Sequence, residues 1–335
     1  EFGEKFGEFD DELGWTLKKN TSSYIRGRSL LTGEVYFDSS VYTDTLGFRA
    51  QKLGTQHTPA GIVAIGDSWT FGYCVNYEET YPYFLEKLSN IPVTNLGIPA
   101  YGSGSTYGLF KRHVSKLKPK LVVYFTTGMW HRSLSTVYPP VDNSFQLIPY
   151  FYYDEKMDSG QIKFPNPGFV SKSVLEGNYP GGSLTAGYNT KNYLIYVKIP
   201  QILSLVKNYL PSLSSATLPQ KKQDNEKYKI NKILEYEIKL YGNLSKLHQF
   251  KLLIIDTTNA YETVIKKFNR DNPDQKIMFI GHKEFEDKVH TKGISIGLSP
   301  KEIRVPMDGH YGSGTNKLIA EMIIDKIKPL EINLH

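Results

Sequence analysis

From residue 61 onward the chain alternates short apolar runs with longer stretches in which apolar positions recur every three or four residues. The runs 62–65, 93–96, 121–125 and 252–255 predict buried strands, and 277–280 a short apolar strand or helix edge. Between and after them, 80–88, 106–116, 228–249, 259–268 and 314–327 predict helices; in 228–249 one face carries Ile230, Ile233, Leu234, Tyr236, Ile238, Leu240 and Tyr241. Strands alternating with helices are joined by parallel crossovers and covered on both faces. The predicted fold class is therefore α/β, a three-layer α/β/α sandwich with a mostly parallel sheet. Ligands of such sheets sit beyond the carboxyl ends of the strands, where 66–68, 97–104 and 126–132 all fall.

The alternation breaks in three places. Residues 1–60 show little helical periodicity and read as an arm with short strands such as 34–37, packed on the main domain. Residues 138–190 are rich in Pro, Gly, Tyr and Asn and too long for a simple connection. They read equally as a lid or substrate platform, or as a surface insertion that packs its aromatics for stability. A helix over 193–210 precedes a polar, Ser/Gln/Lys-rich link at 211–226, expected to be mobile. The predicted organisation is an arm, 1–60, and one domain, 61–335, carrying the insertion and the link.

Composition narrows the classes. The 335 residues are 40% hydrophobic and 22% charged, with 24 Tyr and 17 Phe, which supports a sizeable core and argues against disorder. The net charge of +6 is spread over scattered Lys and Arg, so no stripe for nucleic acid is expected. Cys74 is the single cysteine, which excludes an intramolecular disulfide and a cysteine metal cluster. No apolar stretch approaches the ~20 residues that cross a bilayer. His57, His113, His248, His282 and His290 read as surface or loop residues without helical metal-ligand spacing, the last two in a polar loop, and no metal or cofactor is expected.

Candidate chemistry begins where the first apolar run stops. Gly66-Asp67-Ser68 delivers a serine to the sheet edge, and a serine needs a base to take its proton. Asp308-Gly309-His310 lies just before the last predicted helix, so Ser68, Asp308 and His310 form a candidate catalytic triad. Asp67 reads as a hydrogen-bond acceptor that stabilises the loop.

In these segments the chain resembles the SGNH (GDSL-like) hydrolase superfamily. The resemblance lies in 66–72 (Gly-Asp-Ser-Trp-Thr-Phe-Gly), 78–82 (Glu-Glu-Thr-Tyr-Pro), 95–102 (Asn-Leu-Gly-Ile-Pro-Ala-Tyr-Gly) and 308–311 (Asp-Gly-His-Tyr). Residues 11–15 and 46–49 also look like the N-terminal arm of secreted or membrane-tethered members, which implies export and an anchor upstream of Glu1. The resemblance implies Ser68 as nucleophile, His310 as general base and then acid, and Asp308 as the group orienting it. It implies an oxyanion hole from the backbone N–H of Ser68 and of Ala100, with Gly102 as the fallback. The third motif departs: where members carry Gly-x-Asn-Asp, this chain reads Gly128-Met129-Trp130-His131. A ring N–H of Trp130 or His131 is the stand-in donor for the missing asparagine.

Trp69, His131 and Arg132 are the expected substrate contacts, His131 and Arg132 reading equally as a polar rim pair. Three functions follow from these residues: an esterase or deacetylase on O-acyl groups of a carbohydrate or envelope polymer, an O-acyltransferase to a sugar hydroxyl, and a non-catalytic carbohydrate-binding module.

Overall fold

The computed structural model describes residues 6–10, 12–29, 31–55, 61–134, 137–138, 146–164 and 220–328. Two short strands, β1 (Gly7–Asp10) and β2 (Gly14–Leu17), make an antiparallel hairpin at the start of the arm. Next come β3 (Ser22–Arg28), β4 (Val35–Thr43) and β5 (Arg49–Ala50). They do more than pack on the domain: they continue its sheet. Arg49 pairs with Asn95, so the arm contributes the antiparallel edge β5-β4-β3 of an eight-stranded sheet.

The parallel part consists of β6 (Ile62–Gly66), β7 (Val93–Gly97), β8 (Leu121–Thr126), then, after two two-stranded excursions, β9 (Val137–Tyr138) with β10 (Gln146–Leu147) and β11 (Tyr150–Asp154) with β12 (Ser159–Lys163), the strands β13 (Lys251–Asp256) and β14 (Met278–Ile280). Their spatial order is β14-β13-β8-β6-β7, all parallel. Counting only these five in chain order gives 2-1-3-4-5, the flavodoxin-like doubly wound order, whose switch point lies between β6 and β8.

Strand chemistry explains the layers. Every residue of β6, β7 and β8 is buried, as expected of strands covered on both faces. Alternate residues go to opposite sides: Val63, Ile65, Val122, Tyr124, Leu252 and Ile254 join one core, while Ile62, Ala64, Leu121, Val123, Phe125, Leu253 and Ile255 join the other.

The helices are α1 (Ser68–Phe71), α2 (Tyr81–Ser89), α3 (Ser103–Leu117), α4 (Gln220–His248), α5 (Glu262–Asp271), α6 (His282–Phe285), α7 (Lys292–Ser295), α8 (Pro300–Ile303) and α9 (Ser313–Ile327). The first core is closed by α3, α4 and α5, the second by α2, α9 and the 282–295 segment.

Two segments differ from the sequence expectation. Helix α4 starts at Gln220, inside the stretch read as a link, because Gln, Lys and Glu are polar yet good helix formers. Residues 282–295 are helical, with a π-helical turn at Glu286–Thr291, where a polar loop was expected. Phe285 and Val289, four apart and fully buried, supply the apolar face that holds it. Much of the expected insertion, the 193–210 helix and 211–219 of the link lie outside the described residues.

Candidate active site

Strand β6 ends at Gly66 because nothing larger fits: a Cβ there would lie 2.2 Å from Thr70 Oγ1 and 2.7 Å from the Phe125 carbonyl oxygen. The chain then turns into the single helical turn α1. Asp67 caps it, accepting from the Trp69 N–H at 3.1 Å. Neighbouring β7 locks the turn from the side. Asn95 donates to the Thr70 carbonyl at 2.9 Å and accepts from the Gly97 N–H at 2.9 Å. A Cβ on Gly97 would lie 2.2 Å from the Phe71 nitrogen, so this glycine lets the sheet and the turn touch. Ser68 sits at the start of α1, 8% exposed, beside the switch point.

His310 arrives from the other side of the sheet on the 304–311 loop. The loop closes on itself through an Arg304–Tyr311 bridge, Val305 N–H to the His310 carbonyl at 2.7 Å and Gly309 N–H to the Val305 carbonyl at 3.0 Å. Its tight path puts Met307 and Gly309 at φ +63° and +91°. The result is a continuous chain of contacts: Ser68 Oγ lies 2.8 Å from His310 Nε2, and His310 Nδ1 is hydrogen-bonded to Asp308 Oδ1. The three residues that the sequence singled out are thus in one hydrogen-bonded row. Trp69, Tyr73 and Tyr311 surround the imidazole region: the Trp69 and Tyr73 rings lie 4.6 and 5.2 Å from His310, and Trp69 lies 4.2 Å from Tyr311.

Asp308 has a further partner that sequence reading missed. Burial pushes its carboxyl up, but hydrogen bonds from His310 and from the Cys74 thiol, with the His310 charge, outweigh burial and hold it below the usual carboxylate value. Burial and Asp308 in turn push the Cys74 thiol far up, so it stays protonated and donates. Among the described residues, Cys74, Asp308 and His310 form the group whose ligand atoms could gather on a metal ion, all within 4.8 Å. Asp308 and His310 are already spent on each other. His282 and His290 instead each lie beside Glu286 on the helical segment, with His290 Nδ1 3.0 Å and His282 Nδ1 3.9 Å from its carboxylate.

The expected oxyanion donors are near the serine's end of the sheet. Ala100 follows β7 in a left-handed conformation, φ +65°, which glycine adopts freely and alanine does not. The backbone N–H groups of Ser68, Ala100 and Gly102 have no acceptor among the described residues. Gly102 packs against Ser133, whose Oγ accepts from the Gly104 N–H at 2.8 Å. Trp130 is buried at 8% exposure and its indole N–H has no partner among the described residues, while His131 stacks on it and is itself exposed. Burial lowers the His131 pKa.

Arg132 is committed elsewhere: its Nη1 donates to the fully buried Asp67 carboxylate at 2.7 Å and to the Tyr101 carbonyl at 2.9 Å. Asp67 also accepts from Thr127 at 3.2 Å. Arg132 therefore ties the Ser68 turn to the loop carrying Ala100. The arm reaches the same loop, since the Tyr101 hydroxyl donates to the Trp15 carbonyl and the two rings meet edge-on at 5.2 Å.

A doubly wound sheet with a Ser-His-Asp row at its switch point defines the structural class, an α/β/α sandwich whose motifs at 66–72, 95–102 and 308–311 resemble those of SGNH hydrolases. No protein-family model matches the chain, and no curated protein matches it. Solved structures similar to it include a psychrotrophic esterase from Pseudoalteromonas sp., 11% identical over 81% of this chain and 98% of that one, TM-score 0.37. Others are an acetyl xylan esterase from the rumen bacterium Butyrivibrio proteoclasticus, 8% identical over 84% and 67%, TM-score 0.40, and a GDSL-like lipase from Bacteroides thetaiotaomicron, 14% identical over 80% and 88%, TM-score 0.35. The fold assignment rests on the strand order. No helix among the described residues is long and apolar enough to cross a membrane.

Proposed function

We propose that the protein is a serine esterase working through an acyl-enzyme on O-acyl groups, O-acetyl foremost, of a carbohydrate or cell-envelope polymer outside the cytoplasm. The observation that carries this reading is the unbroken hydrogen-bonded row Ser68, His310, Asp308 at the switch point. Ser68 Oγ attacks the acyl carbonyl as His310 Nε2 takes its proton, and Asp308 holds the imidazole in the tautomer that accepts it. The N–H groups of Ser68 and Ala100 receive the oxyanion, with Gly102 in reserve and the unpaired Trp130 indole N–H as the group filling the place of the missing asparagine. The proton then passes to the departing sugar oxygen, leaving acyl-Ser68. Water, deprotonated by the same nitrogen, releases the acid and restores the serine.

The carbohydrate half of the proposal is supported by the half-buried rings of Trp69 and Tyr73 beside the imidazole, whose faces suit sugar rings. A purely binding role requires Ser68 and His310 out of hydrogen-bond reach, and their 2.8 Å separation speaks for catalysis instead.

The experiment is turnover of p-nitrophenyl acetate by wild type and Ser68→Ala, with intact mass spectrometry and a parallel run containing a sugar acceptor. Serine-dependent release with an acetyl mass on wild type alone is the expected result. Acceptor-stimulated turnover yielding acetylated sugar would make the protein an O-acyltransferase with the same groups. Equal release by both proteins, with neither acetylated, would sink the catalytic reading.

A further inference from the structure

Two guanidinium groups flank the Ser-His-Asp row, and they are in opposite electrostatic states. Arg132 is neutralised by the buried Asp67 carboxylate at 2.7 Å. Arg304 is exposed, and among the described residues no carboxylate lies within ion-pair distance of it. It is nevertheless held in place. Its guanidinium carbon lies 5.6 Å from the Trp69 ring centroid and 5.1 Å from that of Tyr311, and its Nη1 donates to the Gly309 carbonyl at 2.6 Å. Because the Trp69 ring is 4.6 Å from the His310 ring, the guanidinium lies at most about 10 Å from the imidazole, roughly two sugar-ring widths or less.

We propose that Arg304 is an anion-binding subsite of the active centre, which receives a carboxylate carried by the sugar whose ester is cleaved. This rests on the esterase reading above and narrows its substrate class to acylated acidic sugars. An arginine already ordered by two rings and a carbonyl loses little rotamer freedom on binding, and its planar fork matches a carboxylate better than an ammonium would. A solvated surface arginine would have no such anchors. The competing role is purely mechanical: through Gly309, Arg304 also braces the loop between Asp308 and His310.

The two roles separate in a specificity ratio. kcat/KM is measured for mono-O-acetylated galacturonate and for the matching mono-O-acetylated methyl galactoside with wild type, Arg304→Gln and Arg304→Lys. A charge-assisted contact is worth about 10- to 100-fold, so wild type is expected to favour the acid by that order, and Arg304→Gln to erase most of the preference, with Arg304→Lys between them. Added salt is expected to lower the ratio as well. Equal kcat/KM for the two sugars in wild type, or an Arg304→Gln variant that slows both in the same proportion, overturns the subsite and leaves the brace. Failure of the esterase reading is told apart by p-nitrophenyl acetate and by calorimetric titration of Ser68→Ala with galacturonate. Binding that vanishes in Ser68→Ala/Arg304→Gln supports the subsite without any turnover, and no binding to Ser68→Ala counts against it.

Discussion

Ser68 stands on a turn walled by core: β6 beneath it, Asn95 and Gly97 at its side, and the buried Asp67–Arg132 pair tying it to the Ala100 loop. Asp308 and His310 stand on the 304–311 loop, where Met307 is 82% exposed and closure rests on a few backbone bonds and the stacked Arg304. One half of the site is thus fixed throughout by the contacts that fold the domain, while the other is a loop pinned to the core at Val305 and Tyr311 and held between them by local turn chemistry. Substitutions on the serine side should cost stability as well as rate, and those on the histidine side should cost rate alone.

The sharpest test is Asp308→Asn. It leaves the loop's volume unchanged but gives His310 Nδ1 the wrong partner, so kcat is expected to fall about 10²- to 10⁴-fold with the melting temperature nearly unchanged. A large drop in melting temperature would show that the loop is part of the cooperative core after all. Next in size is Arg132→Met. It strips the fully buried Asp67 of its counter-ion while leaving the Trp69 and Thr127 donors, and is expected to cost roughly 2–4 kcal/mol of stability in urea unfolding, with kcat falling too. Unchanged stability would make the serine side no more tightly built than the histidine side.

The core also carries a pH dependence of its own. Glu237 on α4 is fully buried, and burial, against hydrogen bonds from Tyr124 at 2.8 Å and Tyr261 at 3.1 Å, raises its carboxyl to about 7, with the Tyr241 ring packed on Tyr124 beside it. Below pH 4.5, the ordinary value, folded and unfolded chains both hold the proton and there is no penalty. Between there and about 7 the unfolded chain releases it while the folded chain keeps it, so stability falls with rising pH, by roughly 3 kcal/mol in all. Glu237→Gln is expected to flatten that slope and to be the more stable protein at pH 8, as read by denaturant midpoints across pH.

The same division explains what could be read from the chain. The four strands and the serine turn were legible because each is a local pattern: an apolar run, then Gly-Asp-Ser. Helices α2, α3, α5 and α9 fall within a few residues of their periodicity. The placement of Asp308 and His310 before the last helix was legible as well. What holds them was not, since Cys74 with Asp308 and Trp69 with Arg304 are pairs more than two hundred residues apart. A lone cysteine six residues after the serine and an arginine six before the histidine were the signals to weigh. Arg132 shows the converse. Its position after the third strand suggested a substrate contact, and only the buried Asp67 opposite it reveals a clamp.

Ala100 offers the smallest and most discriminating test. Its φ of +65° costs a residue with a Cβ about 1 kcal/mol that glycine avoids, yet it turns the N–H that would face the oxyanion. Glycine also loses more entropy on folding, by 0.5–1 kcal/mol or so. Ala100→Gly should therefore change stability by less than about 1 kcal/mol in either direction. If the serine side is held by Arg132, Tyr101 and Trp15 rather than by Ala100 itself, kcat should stay within about twofold, because the donor is a backbone group kept in place by its neighbours. A tenfold loss of kcat at unchanged stability would mean that the loop relies on the methyl group's restriction, and that the oxyanion side is as loosely held as the histidine loop.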